Sequence, residues 1–297
     1  MDATSLAITL LNGLAFSMLL FLMAAGLTII FGLMDFLNLA HGSFYMLGAY
    51  LAYQAADPQR FGLNFPLAVL LAPVVVGGLA FALDQGVLRR VHRAGHLDQV
   101  LLTFGLALVV ADLVRWTWGA DIRSVPAPPE LRGAVPLLDA AFPRYRLFVI
   151  AAGLLLAAGL WFVHQRTGVG ALIRAGVDDK DMLAALGVNV RQMASLVFAG
   201  GAAIAAFAGV IAGPYVSLQP GMDFETLILS LLVVVIGGLG TLKGSFFGAL
   251  LVGLADSLGK SVRLGDVVLA DYSLMIIFVV MAVVLLLRPA GLFGRAA

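Results

Sequence analysis

The sequence predicts an all-α, polytopic transmembrane helical bundle of about eight or nine membrane helices, some of them short, broken or re-entrant. One transmembrane domain over residues 1–297 is expected. Three observations carry this. Hydrophobic residues make up 62% of the chain and charged residues only 12%, against about 25% charged in an ordinary soluble domain. Mean hydropathy is +1.04, so lipid must cover most of the surface. Apolar runs also recur at the length a span needs, since about 30 Å of hydrocarbon takes roughly 20 residues at about 1.5 Å each.

Taken in order, Leu6–Met34 is the first span. No Lys or Arg precedes Arg60, so it lacks the basic leader of a cleaved signal. Phe65–Leu88 follows, interrupted by Pro73 and Gly77-Gly78. Leu101–Trp118, Leu147–His164, Met193–Gly213 and Leu274–Leu287 are further spans, the last starting near Asp271. Trp116, Trp118 and Trp161 sit at run ends, where the interface favours Trp. Ser43–Tyr53, Phe224–Ile236 and Ser245–Leu258 are short and border glycine, as broken or re-entrant helices do. The Pro-rich stretch Gly119–Arg146 reads as an ordered extracytoplasmic excursion.

Orientation follows from Lys and Arg near span ends. With Arg166–Arg191 cytoplasmic, alternation puts Arg89, Arg90, Arg93, Arg166, Arg174, Lys180, Arg191, Lys243, Arg288 and Arg295 inside. Arg60, Arg115, Arg123, Arg132, Arg144, Arg146, Lys260 and Arg263 fall outside. The bias predicts the N-terminus out and the C-terminus in.

Several function classes are excluded. Net charge is +1 and the isoelectric point about 8.1, which gives no basic field for nucleic acid. The absence of cysteine excludes disulfides, thiol nucleophiles and thiolate metal sites. The four histidines, His41, His92, His96 and His164, are scattered, and no catalytic signature occurs. No catalytic, metal or cofactor-binding residues are expected. Gly237–Gly244 looks like a phosphate loop but lacks Gly-Lys-Ser/Thr, because Leu242 precedes Lys243. It reads as a cytoplasmic hairpin.

Five features remain. In Asp35–Gly42, polar residues interrupt apolar runs, and Asn38 and His41 are three apart. They either line or brace a passage, with Gly42 beside them, or form a short cytoplasmic turn satisfied by backbone. Arg166–Arg191 mixes charge with an apolar face of Leu172, Ile173, Met182, Ala185 and Leu186. Asp178 fits a helix N-cap and Gly187 a C-terminal stop, giving a short amphipathic helix that docks into a partner's groove or merely connects. Gly201, Ala205 and Gly209 form a small-residue stripe for close helix packing. Asp112 and Arg115 form a structural pair or a gate contact. Finally, Ile29–Leu33 before His41-Gly42-Ser43-Phe44-Tyr45 echoes Val234–Gly238 before Lys243-Gly244-Ser245-Phe246-Phe247, as an internal repeat or by chance.

Four ordered blocks carry a resemblance that spans nearly the whole chain: Gly26–Tyr53, Leu88–Gly119, Thr167–Val190, and Val233–Gly253 with the terminal Arg288–Gly294. They resemble the permease subunits of bacterial branched-chain amino-acid ABC transporters, in the shorter of that family's two permease forms. The resemblance implies a multi-pass subunit of the bacterial inner membrane. Its implied partners are a second permease subunit, two cytoplasmic ABC ATPases and a periplasmic solute-binding protein. It further implies that Ile173, Arg174, Ala175, Asp178, Asp181, Ala184, Gly187 and Asn189 belong to an ATPase-coupling element. The solute implied is a branched-chain or other neutral amino acid. Relatives serving urea, short amides, or aromatic or dicarboxylic solutes are the nearest alternative, and a stand-alone channel or secondary carrier is a more distant one.

Overall fold

A computed structural model describes residues 2–35, 37–56, 64–90, 95–137, 140–261, 263–264 and 267–294. Arg60, His92, Arg93, Arg295 and the side chain of Arg263, all used above for charge or motif counting, lie outside the described residues. The described chain is helical almost throughout: α1 (Ala3–Met34), α2 (His41–Ala56), α3 (Phe65–Gly86), α4 (His96–Trp118), α5 (Arg144–Arg166), α6 (Gly168–Asp178), α7 (Lys180–Ala185), α8 (Val190–Ala212), α9 (Met222–Gly237), α10 (Leu242–Ser261) and α11 (Ser273–Leu287). Among the described residues, six helices are long and apolar enough to cross a membrane: α1, α3, α4, α5, α8 and α10.

Three expectations change here. Ser245–Leu258 is not a short helix, because Leu242, Lys243 and Gly244 precede it in α10, which reaches 20 residues. Leu274–Leu287 is instead the short one, since α11 has 15 residues, about 22 Å of helix. Pro73 does not interrupt α3, which runs unbroken for 22 residues.

Helix α1 is the hub. It packs along α10 and also meets α5, α8 and α9. The α1–α10 pair is antiparallel: Gly13 faces Leu254 and Ser257, Ser17 faces Gly253, and the Thr28 and Ser245 hydroxyls hydrogen-bond to each other. Helix α8 lies against α1, α2 and α3. Its expected small-residue stripe sits where backbones touch. A Cβ on Gly201 would come within 2.8 Å of the Gly26 carbonyl oxygen, and one on Gly209 within 2.0 Å of the Tyr45 carbonyl oxygen. Without a hydrophobic drive between helices in lipid, such approach is what makes dispersion contacts count. Helices α3, α4 and α5 are mostly exposed. Their uncovered Leu70, Val74, Trp116 and Leu155 suit a surface wrapped by hydrocarbon.

Between α4 and α5 the described residues include two short antiparallel strands, Ala134–Leu137 paired with Ala140–Pro143. This segment is stitched to the chain between α8 and α9. Arg123 and Leu218 exchange backbone hydrogen bonds of 2.9 and 2.8 Å. The Arg123 guanidinium donates to the Tyr53 hydroxyl at 3.0 Å and to the Trp118 carbonyl at 3.1 Å.

Candidate functional site

Helices α2 and α9 have 16 residues each, about 24 Å, too short for the hydrocarbon layer. One end of each must therefore lie inside the bundle. Helix α1 closes at Asp35, whose left-handed backbone (φ 57°) lets its N–H donate to the Phe31 carbonyl. The chain then climbs back beside α1. His41 Nε2 donates to the Met23 carbonyl at 3.3 Å, about three turns, or 16 Å, short of the end of α1. Leu39 N–H donates to Thr103 Oγ1, and Ala40 N–H to Asn38 Oδ1 at 3.1 Å. So α2 starts near mid-depth.

Helix α9 starts at the same level. The Phe224 ring packs on Phe104, centroids 5.9 Å apart, about two turns into α4. Ser43 Oγ donates to Asp223 Oδ2 at 3.2 Å. A Cβ on Gly42 would stand 2.3 Å from the Asp223 carbonyl oxygen, so the opening turns of α2 and α9 meet backbone to backbone.

Asn38 and His41 are buried, at 1% and 0% exposure. The short cytoplasmic turn is therefore not what forms, although backbone satisfies half of each side chain. Asn38 Nδ2 and His41 Nδ1 have no hydrogen-bond partner among the described residues. With its proton on Nε2, the His41 ring turns an acceptor lone pair inward at Nδ1. Nor do Asn38 and His41 share a helical turn, since Asn38 precedes α2 and His41 opens it.

Sequence reasoning missed Asp223. It directly precedes the apolar run Phe224–Ile236. It is 1% exposed, because the chain after α8 dips to mid-depth before α9 begins. The available signal was the length of α9 itself: a helix that cannot cross leaves an end, and that end's polar residues, inside.

Beyond the far ends of α5 and α8, residues 167–189 form two helices where one was expected. Thr167 caps α6 by accepting from Gly170 N–H. Asp178 is the last residue of α6, and Asp179 is the cap of α7, its Oδ1 accepting from Asp181 and Met182 N–H at 2.9 Å each. The extended Asp179 backbone (φ −157°) breaks the run. Gly187, at φ +85°, ends α7 as anticipated, its N–H donating to Ala184. Asn189 caps α8 by accepting from Gln192 N–H. Removing the Asp179 cap (Asp179→Ala) is expected to cost about 1 kcal/mol of local stability. Amide exchange at Asp181 and Met182 then quickens about fivefold while α8 is unchanged; equal exchange at all sites would count against the cap.

The pair is seated firmly. Gly176 lets α6 approach Leu33 and Met193, and Leu183 is buried beneath α7. Ala175, Asp178, Asp181, Ala184, Gly187 and Asn189 are exposed, and Ile173 and Arg174 half-buried. Arg174, His164, Lys180, Lys243 and Asp35 line a cavity of about 740 Å³ between this pair and the α9–α10 turn. Met182 and Leu186, at 59% and 74% exposure, project apolar surface from α7. Asp112 and Arg115 do pair, at 3.7 Å, on the exposed flank of α4, where such a contact contributes little. Both echoed segments have one form: a helix end closed by a left-handed residue (Asp35, Gly238), then a new helix whose early glycine meets backbone (Gly42 on Asp223, Gly244 on Gly237).

A multi-pass helical bundle with two short helices that start at mid-depth and an amphipathic pair clamped to one end has the build of a membrane transport subunit. The chain belongs to the family described as "Branched-chain amino acid transport system / permease component", whose profile matches residues 9–285. It is 28% identical to the high-affinity branched-chain amino acid transport system permease protein BraD of Pseudomonas aeruginosa, covering 96% of this chain and 95% of that one. To LivH of Escherichia coli K12 it is 25% identical over 96% and 94% of the two chains. To LivM of the same organism it is 25% identical, covering 93% of this chain and 68% of the longer protein. The near-complete overlap with LivH agrees with the shorter permease form. No solved structure gives a significant match.

Proposed function

We propose that this chain is the membrane-spanning permease subunit of an ATP-driven importer for branched-chain or other neutral amino acids. It sits in a bacterial inner membrane with the α6–α7 end cytoplasmic. It works with a second permease, two ABC ATPases and a periplasmic binding protein that delivers the solute. The observation that carries this reading is the exposed apolar pair Met182 and Leu186, held on a rigid mount in a chain of this permease family.

The chain's own residues account for the coupling. Ile173, Arg174, Ala175, Asp178, Asp181, Ala184, Gly187 and Asn189 form or flank the docking element. Its movement reaches α8 through Asn189, the cap of that helix. Helix α8 touches α2 by backbone at Gly209 and Gly48. The passage then runs where α2 and α9 meet, with Asn38, His41 and Gly42 on its wall.

Reconstituted with its partners in proteoliposomes, the chain is expected to take up labelled leucine only with ATP, and not at all alone. Uptake by this chain alone, without nucleotide, would end the reading. In the same assay Asn38→Leu or His41→Leu is expected to slow uptake about tenfold, the scale of one lost buried hydrogen bond, with the ATPases still bound. Undiminished uptake removes those residues from the path.

A further inference from the structure

Among the described residues, three carboxylates are buried within the helices: Asp84, Asp223 and Asp256. Asp256 is paired with Lys260 at 2.7 Å. Asp84 accepts from Ser195, near the α6–α7 end, where Gln85 and Arg89 also reach that hydroxyl. Asp223 differs. It lies at mid-depth, one oxygen accepts from Ser43, and the other has no hydrogen-bond partner among the described residues. No Lys or Arg bridges it among those residues.

A carboxylate at that depth is costly unless something favours its charge. The opening turns of α9, which carries it, and of α2, which faces it, both turn their positive ends toward it. Together with Ser43 and the nearby backbone N–H groups of Asp223 and Phe224 they favour the anion, yet no basic side chain among the described residues neutralises it. A small cation completes the site. In a passage for neutral amino acids, the cation present on every solute is the α-ammonium group.

We propose that Asp223 is the group in the permease that receives the ammonium of the passing amino acid when α2 and α9 part. This rests on the importer reading above and adds to it a charged contact inside the membrane. Ser43 is the residue that holds the carboxylate while the seam is closed. The contact is general for amino acids, so it selects for an ammonium and leaves side-chain choice elsewhere.

The absence of native cysteine in this chain provides a direct test. Ser43→Cys places one thiol beside Asp223. In the assembled transporter turning over ATP, that thiol is labelled with a cationic (ethylammonium) and an anionic (ethylsulfonate) methanethiosulfonate. The ratio of the two rates is then compared with and without Asp223→Asn. Thiol acidity affects both reagents alike, so the ratio isolates the carboxylate's charge. The ratio is expected to fall about tenfold in Asp223→Asn, the scale of one charge-assisted contact. An unchanged ratio, or a thiol that stays unlabelled during turnover, overturns the proposal. Uptake gives a second readout without the cysteine: Asp223→Asn loses about tenfold or more of leucine uptake with ATP hydrolysis retained, and Asp223→Glu recovers part of it. Uptake equal to the parent also overturns it. If the parent takes up no leucine, the importer reading fails instead, while the labelling ratio still reports on Asp223.

Discussion

Gly209→Leu leaves no stable bundle, whereas Gly200→Leu on the same helix is tolerated. Both glycines lie in α8, nine residues apart in one continuous helix. A Cβ at Gly209 would meet the Tyr45 carbonyl oxygen at 2.0 Å and the Ala49 nitrogen at 2.9 Å. Those are backbone atoms of α2, so no rotamer change relieves the clash, and α2 itself must move. Overpacking of a tight core costs about 1–3 kcal/mol where side chains can adjust, and displacing a helix exceeds that range. Gly200 has nothing within 4 Å of a built Cβ and borders an apolar groove of about 440 Å³. There leucine gains about 1 kcal/mol of helix propensity. Thermal unfolding and monodispersity in detergent separate the two. Equal stability would mean that α2 and α8 do not touch as described.

The second large effect concerns the docking element. Met182→Asp with Leu186→Asp is expected to abolish co-purification of the ATPases and leave the melting temperature of the chain itself unchanged. Both side chains already face water, so charging them costs the isolated subunit little. In a partner's groove each is worth about 1.5–3 kcal/mol of burial, and losing both weakens association by at least about a hundredfold. Leu183→Asp is the contrasting change. Leu183 is 4% exposed, so its loss destabilises α7 in the free subunit. Normal ATPase binding by the double variant would remove α7 from the interface.

Most of the helix content was legible, because lipid demands long apolar runs and these survive any tertiary arrangement. The stretches from Leu6, Leu147 and Met193 each begin three residues earlier, as boundaries usually shift. Three details were at most partly legible. The Asp178-Asp179 pair offers equivalent caps, and only the backbone angle at the second decides which one breaks the helix. The depth of Asp223 depends on where the chain after α8 turns. That is set by the backbone contact at Gly42 and not by any local pattern. Asn38 and His41 were visible as polar residues between apolar runs, but their burial follows from the climb of the chain beside α1, which hydropathy does not encode.

The stitch between Arg123 and Leu218 has a mechanical consequence. Only a few residues link Leu218, fixed to the segment after α4, with the carboxylate at mid-depth, a tether of at most about 18 Å when fully drawn out. Such a leash has little slack. A tug of a few ångströms at the Arg123 stitch therefore arrives at Asp223, in the first turn of α9, within the same chain segment.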